Sequence, residues 1–185
     1  MRSTLLAAAL ALAALSPATQ AATLPADGKW AGFNVDANLP PYSFGWVDDS
    51  YAPLSFDFTV GAGQAATLVV VDAGFSGDRF RVYDNGVLLG QTSAAVNGDT
   101  SGATVLNFDA ALANAAFSRG FYALGAGSHR ITGELSQSTT DAFGPLNATL
   151  GGISLVTSAV PEPTTAAMLL IGLGLVVGAL RRRNA

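Results

Sequence analysis

Residues 79–92 read RFRVYDNGVLLGQT, and their pattern decides the fold. Phe80 and Val82 fall on one side of an extended chain, with Arg79, Arg81 and Tyr83 on the other, because successive side chains of a strand point to opposite faces. Asp84-Asn85-Gly86 supplies residues that tolerate positive φ, as a tight hairpin turn requires, and Val87 to Leu89 begin a return strand. The unit predicts a β-hairpin. The chain on either side follows the same grammar.

Upstream, LSFDFTV (54–60) alternates apolar Leu54, Phe56, Phe58 and Val60 with Ser55, Asp57 and Thr59, the period of a half-buried strand. TLVVVDA (67–73) is a continuous apolar run, suited to a strand central in its sheet. Downstream, ATVLNF (103–108), FYAL (121–124), HRITGEL (129–135) and ATLGGISLV (148–156) read as further strands. Eighteen of the 21 glycines fall between Gly28 and Gly152, where glycine-rich turns separate these runs. One helical patch is expected, with Asp109 as N-cap, AALANAAFSR (110–119) as body and Gly120 as stop, lying across a sandwich edge. Many short strands without intervening helices predict an all-β domain, an antiparallel two-sheet sandwich of jelly-roll type.

The two extremities obey other rules. Met1-Arg2 precedes an apolar run from Leu5 to Leu15 and then SPATQAA (16–22), the layout of a secretory signal peptide. Signal peptidase is expected to cut after Ala21, with the small residues Thr19 and Ala21 flanking Gln20. At the other end, residues 164–180 carry no charge and include MLLIGLGLVVGAL. A helix of that length reaches roughly 25 Å, near the short limit for one membrane crossing. Gly172, Gly174 and Gly178 are better tolerated in a membrane helix than in a soluble one, and Arg181, Arg182 and Arg183 would hold the tail on the cytoplasmic side. Pro161 and Pro163 bracket Glu162 and keep the preceding segment extended, accessible to a processing enzyme. The expected layout is a signal peptide (1–21), an extracellular β-sandwich domain (22–159) and a tail (160–185), the tail dividing into motif (160–163), transmembrane helix (164–180) and basic end (181–183).

The order of signal peptide, short domain, Val160-Pro161-Glu162-Pro163, apolar span and triple arginine resembles the PEP-CTERM proteins of Gram-negative bacteria. DAGFSGDRFRVYDNGVLLGQTS (72–93) and AFSRGFYALGAGSHRIT (116–132) look like stretches that recur in the ectodomains of that family. The resemblance implies that the tail is a sorting signal for an exosortase, a membrane-embedded cysteine protease. It also implies transient anchoring in the inner membrane, removal of the tail, and delivery to the cell surface or an exopolysaccharide matrix.

Composition narrows the chemistry. Between Ala22 and Ala159, Lys29, Arg79, Arg81, Arg119 and Arg130 stand against eleven aspartates and Glu134, so the domain is more acidic than the whole chain at −4. Such a surface repels phosphate backbones and argues against nucleic-acid binding. With no cysteine there are no disulfides, thiolate metal sites or thiol nucleophiles. The single histidine, His129, neighbours Ser128 on a strand, where the two side chains face opposite ways and make no catalytic pair. No enzymatic activity and no obligate cofactor are expected.

Two constellations remain. Asp48-Asp49 stands among Trp30, Tyr42, Trp46 and Tyr51, and aromatic faces beside carboxylates hold sugar rings. This gives an alternative reading as a secreted carbohydrate-binding module, with exopolysaccharide as the candidate partner and glycosidase chemistry a distant third. Asp72, Ser76, Asp78 and Asp84 offer hard oxygen donors at strand ends, a candidate set for structural calcium without the order of an EF-hand loop. The main expectation is a non-enzymatic surface or matrix protein of an exopolysaccharide or biofilm layer.

Overall fold

The computed structural model describes residues 20–160; the expected signal segment before Gln20 and the tail from Pro161 lie outside the described residues. The strands are β1 (Gln20–Thr23), β2 (Asp27–Asp36), β3 (Leu54–Val60), β4 (Gln64–Ala73), β5 (Arg79–Asp84), β6 (Val87–Gln91), β7 (Arg119–Leu124), β8 (Gly127–Gln137), β9 (Thr140–Asp141), β10 (Gly144–Pro145) and β11 (Ala148–Ala159), with helix α1 (Phe108–Ala113) before β7. One sheet runs β1-β3-β8-β5-β6 and the other β2-β11-β4-β7, while β9 and β10 form a small hairpin. All pairings are antiparallel except β1 with β3. Among the long strands, the chain changes sheet at every connection except the β5–β6 hairpin. The domain is all-β and antiparallel, as its alternating runs predict.

The hairpin at residues 79–92 forms as its residues require. Asp84 pairs with Val87, and the two residues between them, Asn85 (φ 49°) and Gly86 (φ 80°), both take positive φ. Phe80 and Val82 are buried between the sheets. Arg81 and Tyr83 instead meet Glu134 of β8 on the outer face, at 3.1 and 2.7 Å. There Arg130 also grips Asp57 of β3 through two nitrogens. Strand β4 is central, between β11 and β7. Its Leu68 and Val70 enter the inter-sheet core, while Val71 and Ala73 face a second apolar layer under α1.

The core is organised by aromatic contacts. Trp46 stacks on Phe33 of β2 with centroids 4.0 Å apart, and Phe33 meets Phe80 of β5 edge-on at 5.1 Å, so the stack joins the two sheets. The segment carrying Trp46 is stitched to both: its N–H donates to Gly133 O of β8, and Val47 exchanges two hydrogen bonds with Asn34 of β2. Glycines make the room. A methyl on Gly133 would overlap the Trp46 indole, one on Gly151 the Phe33 ring, and one on Gly152 the Phe108 ring on the opposite face. The Gly-Gly pair inside β11 thus leaves space on both faces of one sheet.

Four local expectations need correction. Residues 103–108 form no strand; Val105 alone exchanges two 2.8 Å bonds with Gly74, and the chain turns into the helix. The N-cap is Asn107, whose side chain accepts from Ala110 N at 2.9 Å, so the helix starts one residue before Asp109. It stops at Ala113 rather than Gly120, because Asn114 is extended and Arg119–Leu124 is drawn into the sheet as β7. Finally, α1 covers the outer face of the four-stranded sheet, packing Phe108 and Leu112 with Trp30 and Val71, and does not cross an edge. Strand β1 begins at Gln20, two residues before Ala22, and Leu24 just after it is buried in the core.

Gly133→Ala is expected to destabilise the domain by about 1–3 kcal/mol, the usual cost of overpacking. In a thermal melt of the full chain in mild detergent this lowers Tm by roughly 3–10 °C. An unchanged Tm would mean that the indole does not depend on the space left at Gly133.

Candidate functional site

A cleft of about 430 Å³ opens where β2 and β4 end and β11 begins. Asn34 and Asp36 reach it from β2, Asp49 and Tyr51 from the loop before β3, Asp78 from the turn after β4, and Thr149 and Leu150 from β11. Its lining holds three carboxylates and no lysine, arginine or histidine. Its potential therefore favours cations and hydrogen-bond donors.

The loop geometry assigns the paired aspartates different roles. Asp48 Oδ1 accepts from Ser50 N at 2.8 Å and Ala52 N at 3.0 Å, so its carboxylate closes the turn. Asp49 Oδ1 accepts from Asn34 Nδ2 at 3.0 Å and faces the cleft. That turn forces Tyr51 to φ 62°, a conformation costly for a bulky side chain, and leaves it 43% exposed at the cleft wall.

The other aromatics of the expected cluster go elsewhere. Trp46 is 2% exposed and part of the core stack, so it presents no face to a sugar. Trp30 packs on Phe108 at 5.8 Å and donates from Nε1 to Asp109 Oδ1 at 2.8 Å, on the helix-covered face. Tyr42 is exposed but lines no cleft with Tyr51. Sequence proximity grouped four rings; the fold brings only Tyr51 to the cleft. Conversely, Asn34, Asp36 and Thr149 belong to the site, and nothing in their own strands' alternation marks them.

The four-residue oxygen cluster also divides. Asp84 lies at the far end of β5, where His129 Nδ1 is 2.8 Å from its Oδ2. The other His129 nitrogen, Nε2, is 3.0 Å from Gly125 O, and Phe58 stacks on the ring at 5.2 Å. Asp84 is therefore no partner of Asp72. Asp72, Ser76 and Asp78 stay together at the cleft end of the sandwich, and all three are buried. Asp78 Oδ1 accepts from Thr139 N at 2.7 Å, and Thr139 Oγ1 donates to Ser76 O at 3.1 Å. Burial pushes the Asp78 carboxyl above its ordinary range, against the hydrogen bonds from Thr139.

Asp72 is the anomaly. It follows Leu68 and Val70 on the inward-facing row of β4, is 0% exposed, and neither carboxyl oxygen has a hydrogen-bond partner. Burial first, and then the neighbouring Asp78 charge, push it up to about 9. The backbone N–H groups of Asp78, Gly77 and Ala73 oppose the shift without closing a hydrogen bond on either oxygen. Among the described residues, no three His, Cys, Asp or Glu side chains converge to hold a metal.

The last feature is the exit of the chain. Strand β11 lies between β2 and β4, runs to Ala159, and is followed by Val160, whose N–H donates to Gly63 O at 2.8 Å. Val160 is the first residue of the expected processing motif; Pro161, Glu162, Pro163 and the arginines 181–183 lie outside the described residues, as does the expected membrane helix. Among the described residues no helix is long and apolar enough to cross a membrane.

The family described as the PEP-CTERM protein-sorting motif matches residues 159–183, from the final residue of β11 through the triple arginine. The chain thus carries a PEP-CTERM protein-sorting motif at these residues. No curated protein matches it.

Because Trp46 is a core residue, Trp46→Ala should cost about 3–5 kcal/mol, the range for emptying a buried aromatic site. A melt of the full chain would show the loss directly. A stability change below about 0.5 kcal/mol, typical of surface sites, would return Trp46 to the list of ligand-binding candidates.

Proposed function

We propose that this chain is an exported, exosortase-processed surface or matrix protein, non-enzymatic, that serves an exopolysaccharide or biofilm layer after its tail is removed. The observation that carries the reading is the position of the motif. It begins where β11 ends, so a cut beyond Val160 leaves every strand and both apolar layers whole. Both apolar layers are complete within the residues up to Leu155, five positions before Val160. The N-terminal segment supplies export, signal peptidase cleavage after Ala21 shortens β1 to Ala22 and Thr23, and the apolar run with Arg181–Arg183 supplies a transient hold in the inner membrane. The two antiparallel sheets support a scaffold role, in which loops at the two ends vary without disturbing the strands. Support for the non-enzymatic reading comes from His129, both of whose ring nitrogens are within hydrogen-bond distance of Asp84 and Gly125. It comes also from Asp48, whose carboxylate closes a turn.

In the native host, Pro161→Ala combined with Pro163→Ala should leave the full-length precursor in the inner-membrane fraction. The wild-type chain should be recovered from the surface with a C-terminus near residue 163, read by mass spectrometry. Surface recovery of the double variant with an identical trimmed end would sink the processing role of the motif.

A second reading, binding of a carbohydrate in the cleft, is favoured by one observation: Tyr51 is held at positive φ beside Asp49 and Asn34. Tyr51→Gly separates ligand contact from folding. Glycine accepts that backbone freely, so stability should hold or rise by up to about 1 kcal/mol. Retention on the host exopolysaccharide in a pull-down should drop at least about tenfold, equivalent to 1.4 kcal/mol. Equal retention of both proteins would reject the cleft as a glycan site.

A further inference from the structure

We infer that Asp72 and Asp78 bind a divalent cation between them, calcium by their chemistry, with water completing its shell. This goes beyond the sorting role and is independent of it. Asp72 is wholly enclosed with two unpartnered carboxyl oxygens. Buried polar groups in folded proteins are nearly always satisfied, and leaving a carboxylate unpaired is among the costliest arrangements available. The backbone N–H groups of Asp78, Gly77 and Ala73 lie near without closing a hydrogen bond, and a cation beside those oxygens would satisfy them.

Several features favour the cation. Asp78, 2% exposed, is the charged neighbour of Asp72; its Oδ1 accepts from Thr139 N, and the Thr149, Thr139 and Ser138 hydroxyls also stand by its carboxyl. Two carboxylates brought together in a buried site repel unless a positive charge lies between them. The turn that joins them passes over Gly74 (φ 81°) and Gly77 (φ 133°), and its Gly74, Ser76 and Gly77 carbonyls already accept from Val105 N, Gly98 N and Gln137 Nε2, which leaves the two carboxylates and water as ligands. These are hard oxygen donors, the kind calcium takes six to eight of, with water completing the shell. Gly77 is constrained as well, since a side chain there would strike Thr139 Oγ1 at 2.7 Å. An entry path exists, because Asp78 lines the acidic cleft in which Asp36 and Asp49 also stand, without a basic residue to compete. Two carboxylates rather than three explain why no larger acidic cluster marks the place.

The test uses the full chain in mild detergent, stripped with chelator and returned to calcium. Extracellular calcium sites bind at about 0.1–1 mM, so about 10 mM CaCl₂ saturates them. A ligand that binds only the folded state must stabilise it, and Tm should rise by at least about 3 °C over the chelator sample. One calcium per chain should be retained by elemental analysis. Asp72→Asn and Asp78→Asn should each abolish the shift, and Asp27→Asn, at the start of β2, should preserve it. Equal Tm in calcium and chelator overturns the site and leaves a shared proton as the partner of Asp72. So does a shift that survives in Asp72→Asn, which would put the ion elsewhere. Should Asp72→Asn fail to fold, the wild-type comparison and Asp78→Asn decide the matter alone.

Discussion

The sandwich depends on one contact, the Trp46 indole lying flat on Phe33 between two sheets that each give up a side chain to admit it. Gly133 of β8 leaves the space over the indole and Gly151 of β11 the space over the phenyl ring. With Phe80 and Phe56 around it, the stack joins β2, β3 and β5 through one cluster. No disulfide shares the task, since the chain has no cysteine. A domain without disulfides is sensitive to small changes of volume at its centre, because interiors are packed as densely as crystals.

From that centre the molecule becomes polar toward one end. Along β4 the inward row passes from Leu68 and Val70 to Asp72, and the neighbouring turn adds Ser76 and Asp78. The same end carries the cleft, whose walls come from the loop that holds Trp46's neighbours Asp49 and Tyr51. Core and cleft are thus not independent. The Val47–Asn34 bridge that seats Trp46 also sets Asn34, and with it Asp49, at the cleft wall. A loop fixed by the core can afford an uncomfortable residue such as Tyr51 at positive φ, which a free loop would relax.

Much of this was legible in the sequence, for physical reasons. The strands at 54–60 and 79–84 and the Asn85-Gly86 turn follow from alternation and from the few residues that accept positive φ, both local properties. The 67–73 run is central because it is apolar on both faces, and both faces are in fact covered. Where sequence reading failed, a distant partner decided. Residues 103–108 have the composition of a strand, but Gly74 offers Val105 only a single bridge. Alanine-rich 114–119 has the composition of a helix, yet the edge of β4 claims the residues from Arg119 onward. Trp46 looked like a sugar platform because tryptophan beside aspartate reads the same whether the ring faces solvent or core. Only Gly133, 87 residues later in the chain, tells which, and its meaning appears once β8 is in place.

The two ends of the chain and its middle can be understood by one division of labour. Sorting information has to be readable before the protein reaches its destination and dispensable after, so it belongs in segments that no core contact requires. The last core contribution of β11 is Leu155; Val156 is already exposed, and the strand then runs out to Ala159 by pairing with β4 alone. Residues 157–159, paired with β4 alone, stand between the core and Val160. A strand that ends this way can hand its continuation to a protease without transmitting the loss inward, because antiparallel pairing beyond Leu155 adds backbone hydrogen bonds but little buried apolar surface. Beyond Leu155 the strand thus tolerates changes that the centre of the domain, bound to the fit of Trp46 against two glycines, does not.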